Sequence, residues 1–506
     1  MIVLINPNLV TQRNDLFTTG VVYMPVSLAY FGAALRARGM ECCVVDAFGE
    51  RPNQCWVDGG FLFRGLTPHE VVQRLPAQTE VVVLYAGNLT WHRALMQILK
   101  AVRAALPRVP IVVMENTQAV TAYSLRQVQQ DFYDQGADYV ITGEAEERGV
   151  ALLAALRSGA LPSEVAKLDG LGFHDKTGIH YTPPQQQIVN LDTLPFPAWD
   201  LLPIKNYWRL KYAHGPFSTR RYLPLLTSRG CPYPCRFCVI PETNNIRWRA
   251  RSAQNVVDEM EMHSEKFGVR EFHIEDVDPT VNDKRTRAIC EEILRRRLDV
   301  IWKIAAGTKV ETLRDSETVQ LMARAGCRYI SISPESGSPR LLKLINKPFD
   351  IEHAVHLIET MTTVGIHSQA CFVLGFPGEE PEDLQMTWDL VHRLTKVGVD
   401  EIALFIITPV PGSAIFSQFS GYQDYSELNF SPSWRPDYKM LSSFRLALYR
   451  QFLQWKLRCH PKKMLRQPLN FVLRRFETKM EMTPYRALHA ALLDAGLLGH
   501  RVTYEN

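Results

Sequence analysis

Two stretches of this chain alternate continuous apolar runs with amphipathic ones, and that rhythm limits the fold more than any other feature. In the first, 2–5, 42–45, 80–85, 111–114 and 139–142 read as strands, with helical periodicity over 27–38, 91–106 and 146–157. Apolar strands separated by helices imply a parallel sheet covered on both faces, with ligands beyond the carboxyl ends of its strands. In the second, strand patterns recur at 223–227, 271–275, 300–305, 329–333, 368–374 and 401–407. Six such units without a long interruption predict a partial (β/α)₆ barrel. Between them, Pro183, Pro184, Pro195, Pro197 and Pro203 break the rhythm, leaving a connector with a small hairpin near 170–181. The expected organisation is therefore α/β: a Rossmann-like parallel-sheet domain over 1–157, a linker over 158–221, the barrel over 222–418 and a helical C-terminal region over 419–506.

Composition narrows the function. The 506 residues carry a net charge of only +4, which argues against a general nucleic-acid binder. The opening MIVLINPN reads as a buried strand and lacks the basic start of a signal peptide. No apolar stretch approaches the roughly 20 residues of a membrane helix, so a cytoplasmic protein is expected. Of ten cysteines, seven are scattered and expected mostly as core thiols. The other three, Cys231, Cys235 and Cys238, crowd into one short segment directly after the first barrel strand. In a reducing compartment such a crowd signals metal or redox chemistry.

The segment reads Gly230-Cys231-Pro232-Tyr233-Pro234-Cys235-Arg236-Phe237-Cys238. Three thiolates on a four-iron cluster leave one iron without a protein ligand, and an open position is what a metal site needs to bind a substrate. Structural zinc would want a fourth Cys or His, and none follows before His263. A Cys-x-x-Cys redox pair would leave Cys231 unexplained.

This loop resembles the CxxxCxφC signature of the radical S-adenosylmethionine (radical SAM) superfamily, with Phe237 as its aromatic. The resemblance implies a [4Fe-4S] cluster on the three cysteines, with S-adenosylmethionine chelating the fourth iron. Reductive cleavage would then give methionine and a hydrogen-abstracting 5′-deoxyadenosyl radical. Later strand ends are similar to the family's as well. Glu275 or Asp276 stands where relatives receive the ammonium of S-adenosylmethionine. Ser333 and Glu335 stand at the ribose-binding strand end. Gly375, in Leu374-Gly375-Phe376-Pro377-Gly378-Glu379, resembles the element that packs on adenine. Lys309 reads as a surface lysine, with the cosubstrate carboxylate as its other assignment.

The order of domains resembles the subgroup with an N-terminal cobalamin-binding domain. Pro25-Val26-Ser27-Leu28-Ala29-Tyr30, Thr142-Gly143-Glu144-Ala145-Glu146 and Leu194-Pro195-Phe196-Pro197 carry that likeness. Two departures stand out: no Asp-x-His-x-x-Gly motif occurs, and Met114-Glu115-Asn116-Thr117-Gln118 replaces the frequent Gly-Gly-Pro-His. The subgroup implies methylation of an unactivated carbon or phosphorus in a small metabolite, using methylcobalamin and an electron donor such as flavodoxin or ferredoxin. Oxidative cyclisation or ring rearrangement without methyl transfer is the alternative among enzymes. A cobalamin or iron–sulfur sensor is the alternative of another class. Between Phe444 and Met480 basic residues dominate, with Glu477 the only acid. A cap over the substrate, a membrane-touching face and an ordinary solvated face all fit that pattern, and the membrane reading is not favoured.

Overall fold

The computed structural model describes residues 1–503 other than 14, 16, 18, 19 and 185. The three-part α/β architecture expected from the sequence is present. A seven-stranded sheet runs in the order Cys42–Asp46, Ile2–Asn6, Val81–Ala86, Ile111–Glu115, Tyr139–Ile141, Leu171–Asp175, Gly178–Tyr181. The first five strands are parallel, and helices Val26–Ala37, His92–Ala105 and Ala145–Arg157 pack on them. The last two form the hairpin expected near 170–181. It extends the sheet antiparallel and does not float as a connector, because Leu171 pairs with Ile141 and is fully buried.

A second, four-stranded sheet has no counterpart in the sequence pattern. Leu9–Gln12, Phe61–Arg64 and Gln54–Asp58 pair antiparallel, and His500–Arg501 from the far end of the chain adds parallel to the last of these. Its strands are short, and they hold together through tertiary contacts such as Trp56 stacked on Phe63 at 5.3 Å. Local periodicity carries no trace of such pairing.

Six parallel strands, Tyr222–Leu225, Glu271–Ile274, Ile301–Thr308, Cys327–Glu335, His367–Leu374 and Glu401–Ile406, follow one another in sequence order. This is the expected partial barrel. Alternate residues point outward, where Ile330, Ile332, Ala370 and Phe372 pack into the largest apolar cluster. The inward residues are different in kind: Glu271, Lys303, Tyr329 and Glu401 sit at the amino-terminal ends of their strands, fully or nearly fully buried. They are paired, Lys303 to Glu271 at 2.7 Å and Tyr329 Oη to Glu401 at 2.5 Å, as buried polar groups must be.

The C-terminal region is helical, with Tyr438–Cys459, Pro461–Leu473 and a further helix, Lys479–Asp494, that the sequence pattern did not single out. The first packs against the last barrel strand, and the Tyr449 hydroxyl accepts the Leu404 N–H, covering that edge. The basic stretch is only partly a solvated face. Arg445 and Lys456 are buried, donating to the Phe430 carbonyl and the Asp400 carbonyl. Among the seven scattered cysteines, Cys42, Cys55, Cys290 and Cys327 are core thiols, whereas Cys459 is exposed at a helix end. Among the described residues no helix is long and apolar enough to cross a membrane.

Glu401 ties this region to the barrel floor. Besides the Tyr329 hydroxyl it accepts the backbone N–H groups of Lys479 and Met480. Glu401→Ala leaves those donors buried without an acceptor, at a cost of about 3 kcal/mol. Limited proteolysis of that variant is expected to release the segment beyond residue 460 while the barrel stays intact; a digestion pattern like that of the native chain would contradict this role.

Candidate functional site

The cysteine loop starts on a two-residue strand, Ser228–Arg229, paired antiparallel with Arg249–Ala250. Gly230 follows at φ +76°, and a side chain there would come within 2.0 Å of the Arg247 carbonyl oxygen, so the turn admits only glycine. Within the loop the Cys238 N–H donates to the Cys235 carbonyl, and the Ile240 N–H donates to the Cys238 sulfur at 3.4 Å. Asn346 anchors the outer edge through the Pro234 carbonyl.

Beneath the loop lies Asp276. It is fully buried and accepts the Thr227 N–H at 2.7 Å and the Thr227 and Ser228 hydroxyls at 2.6 Å each. The end of the second barrel strand is thereby pinned to the base of the loop. Both carboxylate oxygens are committed to that task.

All three cysteines are free thiols. Burial, followed by the nearby Asp278 carboxylate, pushes Cys231 up to about 12; burial also pushes Cys238 up to about 12 and raises Cys235. Among the described residues no three His, Cys, Asp or Glu side chains converge closely enough to hold a single ion. Thiolates on separate irons of one cluster need no such convergence.

Around the loop the structure gathers groups that sequence reasoning missed. Lys347 sits 5.9 Å from the Phe237 ring centroid and pairs with Glu335 at 2.6 Å. Glu335 itself is buried at φ +64°, a backbone conformation that non-glycine residues adopt rarely. Phe237 meets Phe376 edge-on at 5.3 Å. Asp278 is buried, with one oxygen accepting the Thr308 hydroxyl and the other, Oδ2, without a partner. Its carboxyl is pushed up to about 6 by burial. Nothing in the local sequence distinguishes Lys347 or Asp278 from ordinary loop charges.

Other anticipated residues lie apart. Glu275 points inward and holds His214 from the connector at 2.5 Å, with Tyr23 tilted on that ring at 4.6 Å. Ser333 faces the lumen beside Gly307. Gly375, at φ +83°, is hemmed in by Leu441 and Arg435, and its carbonyl accepts from the Arg435 guanidinium. Lys309 pairs with Glu311 and lies over the Tyr233 ring.

The carboxyl edge of the first sheet faces this loop. Arg229 crosses between domains to Glu146 at 2.5 Å and to Glu144 at 3.5 Å, and Arg249 holds Glu144 at 2.8 Å. Asn244, just past the cysteines, donates to the Thr117 carbonyl. A cavity of about 10 Å³ remains between Glu115, Gln118, Gly143, Glu146 and Arg229, room for about one water. A larger ligand seated here has to part these surfaces. The chemistry of the edge suits a ligand fringed with amides, as cobalamin is. The buried amide oxygens of Asn6, Asn8, Gln118 and Asn244 have no partner, and such groups favour a ligand that satisfies them. Glu115 accepts the Leu125 and Gly143 N–H groups and is pushed up to about 7 by burial.

Residues 225–391 match the radical SAM superfamily. An uncharacterized methyltransferase of Pyrococcus horikoshii is 30% identical over 298 residues, 59% of this chain and 60% of that protein. The match thus spans less than two thirds of that relative. Cytidylyl-2-hydroxyethylphosphonate methyltransferase of Streptomyces wedmorensis is 27% identical over 450 residues, 82% of this chain and 81% of its own. Among solved structures, the radical S-adenosylmethionine methyltransferase TsrM of Kitasatospora setae, with tryptophan and a SAM analogue bound, superposes with TM-score 0.63. That comparison has 19% identity and covers 84% of this chain and 77% of TsrM, which shares its fold. TsrM has also been solved with cobalamin and a [4Fe-4S] cluster.

Two outcomes follow from this geometry. Asp276→Ala frees the base of the cysteine loop, so iron retained after anaerobic reconstitution is expected to fall well below that of the native chain; equal loading would show that the clamp is dispensable. Glu115, raised in the fold, favours its protonated form there, so its contribution to stability declines as pH climbs from about 4.5 to about 7. Melting temperatures of Glu115→Gln relative to the native chain are expected to rise across that window, and a pH-independent difference would refute the assignment.

Proposed function

Because the chain belongs to the radical SAM superfamily, we propose that it is a cobalamin-dependent radical S-adenosylmethionine methyltransferase acting on an unactivated carbon or phosphorus of a small metabolite. The observation that carries this reading is the three-thiol loop clamped by Asp276 at the mouth of a barrel whose interior is accessible. Cys231, Cys235 and Cys238 hold the cluster. Asp278, with Oδ2 buried and unpartnered, receives the ammonium of S-adenosylmethionine in preference to Asp276, whose oxygens are taken. Glu335 and Ser333 stand on the ribose side, with Lys347 fixing the Glu335 carboxylate. Gly375 and Phe237 stand on the adenine side.

Gln118, whose unpartnered amide oxygen lies at the cavity, would hold cobalamin at the sheet edge. When bound, cluster and cosubstrate supply hydrogen-atom abstraction and cobalamin a transferable methyl group. The chain's own residues orient these groups and exclude water, and His214, held by Glu275, can carry a proton beside the lumen. A cytoplasmic electron donor such as flavodoxin or ferredoxin reduces the cluster. The likeness to cytidylyl-2-hydroxyethylphosphonate methyltransferase supports methyl transfer.

Anaerobically reconstituted protein with dithionite and S-adenosylmethionine is expected to release 5′-deoxyadenosine. When supplied with cobalamin and substrate it is expected to release S-adenosylhomocysteine as well. The Cys231→Ala/Cys235→Ala/Cys238→Ala variant is expected to lose iron and both products together. Release of 5′-deoxyadenosine from that variant, or none from the native chain, would overturn the reading.

A further inference from the structure

In a filled barrel the inward residues at mid-strand are bulky. Here they are small. Ala305, Ser331, Cys371 and Ala403 occupy the inward positions halfway along four adjacent strands, and their outward neighbours, such as Ile304, Ile330, Ala370 and Leu404, fill the surrounding core. Nearer the mouth, Ser333 and Phe405 are only half-buried, as are Cys371 and Ala403, although all lie on central or covered strands. Ala305 and Ser331 are fully buried, whereas the partly exposed Cys371, Ala403, Ser333 and Phe405 line a lumen open toward the mouth.

One cation enters this lumen from below. Lys479 is the first residue of the C-terminal helix Lys479–Asp494, whose start is held to the barrel floor by Glu401. Its ammonium donates to the Ala305 carbonyl at 2.8 Å, and the residue forms no ion pair among the described residues. Glu401 and Glu275 favour its charge but form no ion pair with it. Glu401 accepts Tyr329 and two N–H groups of the helix start, and Glu275 holds His214. Arg486, two turns along the same helix, is buried beside Tyr23 and Tyr212. Burial lowers the Lys479 ammonium from its ordinary range. The Ala305 carbonyl takes one of its three N–H donors, which leaves donors for an arriving anion.

We infer that Lys479, at the floor of the barrel lumen, receives an anionic group of the substrate, a phosphonate, phosphate or carboxylate. Specificity then resides in a C-terminal helix outside the matched domain. This rests on the methyltransferase reading for its reaction, but the anion site itself does not depend on that reading. Small lumen side chains set the size of what fits, and the helix brings the charge.

The test titrates methylphosphonate, and in parallel acetate, into cluster-loaded full-length protein by calorimetry. The native chain is expected to bind at least one of the two. Lys479→Gln is expected to weaken that binding by about tenfold or more, the worth of a charged hydrogen bond, and Lys479→Arg to restore most of it. Ala403→Leu, which fills the lumen and leaves Lys479 in place, is expected to weaken it as well. No binding by the native chain, or native affinity retained in Lys479→Gln or in Ala403→Leu, overturns the inference. Binding that follows this pattern in a chain releasing no 5′-deoxyadenosine would sink the proposed reaction and leave the anion site standing.

Discussion

A single fully buried carboxylate, Asp276, joins the two parts on which everything else is arranged. It closes the second barrel strand onto Thr227 and Ser228, immediately before the turn that only Gly230 can make. With that junction fixed, the next eight residues have little freedom. Their thiols face the barrel mouth, and Arg229 reaches across to Glu146 on the first sheet. Removing one partner of such a desolvated pair leaves the other charge buried, so the pair enforces the seating of the domains whether or not it adds net stability. Sheet edge, cysteine loop and lumen are therefore aligned by two charged contacts one residue apart in the chain.

Much of the fold is legible in the sequence because parallel strands buried on both faces write themselves as continuous apolar runs. The strands of the first sheet and the barrel appear within a residue or two of their pattern, except where bulges lengthen Ile301–Thr308 and Cys327–Glu335. The four-stranded sheet was not legible. Its Gln54–Asp58 strand pairs with His500–Arg501, and no local signal announces a partner so far along the chain. The last helix was obscured by Pro484 and by charged residues that prove to be buried, Glu481 and Arg486.

The candidate site divides along the same line. The cysteine spacing is a local statement, readable because one short loop must wrap a cluster. Charges at strand ends are not local. Glu275 and Asp276 are neighbours with the same chemistry, yet one faces the lumen with His214 and the other lies under the loop with Thr227 and Ser228. Alternation along a strand separates them, but which face is the mouth depends on where the next strands fall. Lys347 and Asp278 gain their character from burial, which composition does not reveal.

The coordination argument at the centre of this account concerns one iron left without a protein ligand. Mössbauer spectra of ⁵⁷Fe-reconstituted protein, taken without oxygen before and after S-adenosylmethionine is added, address it directly. The account predicts a [4Fe-4S] cluster in which one iron of the four changes its parameters on addition, as its vacant position fills. A cluster whose irons all remain unchanged, or iron bound in any form other than this cubane, would contradict it.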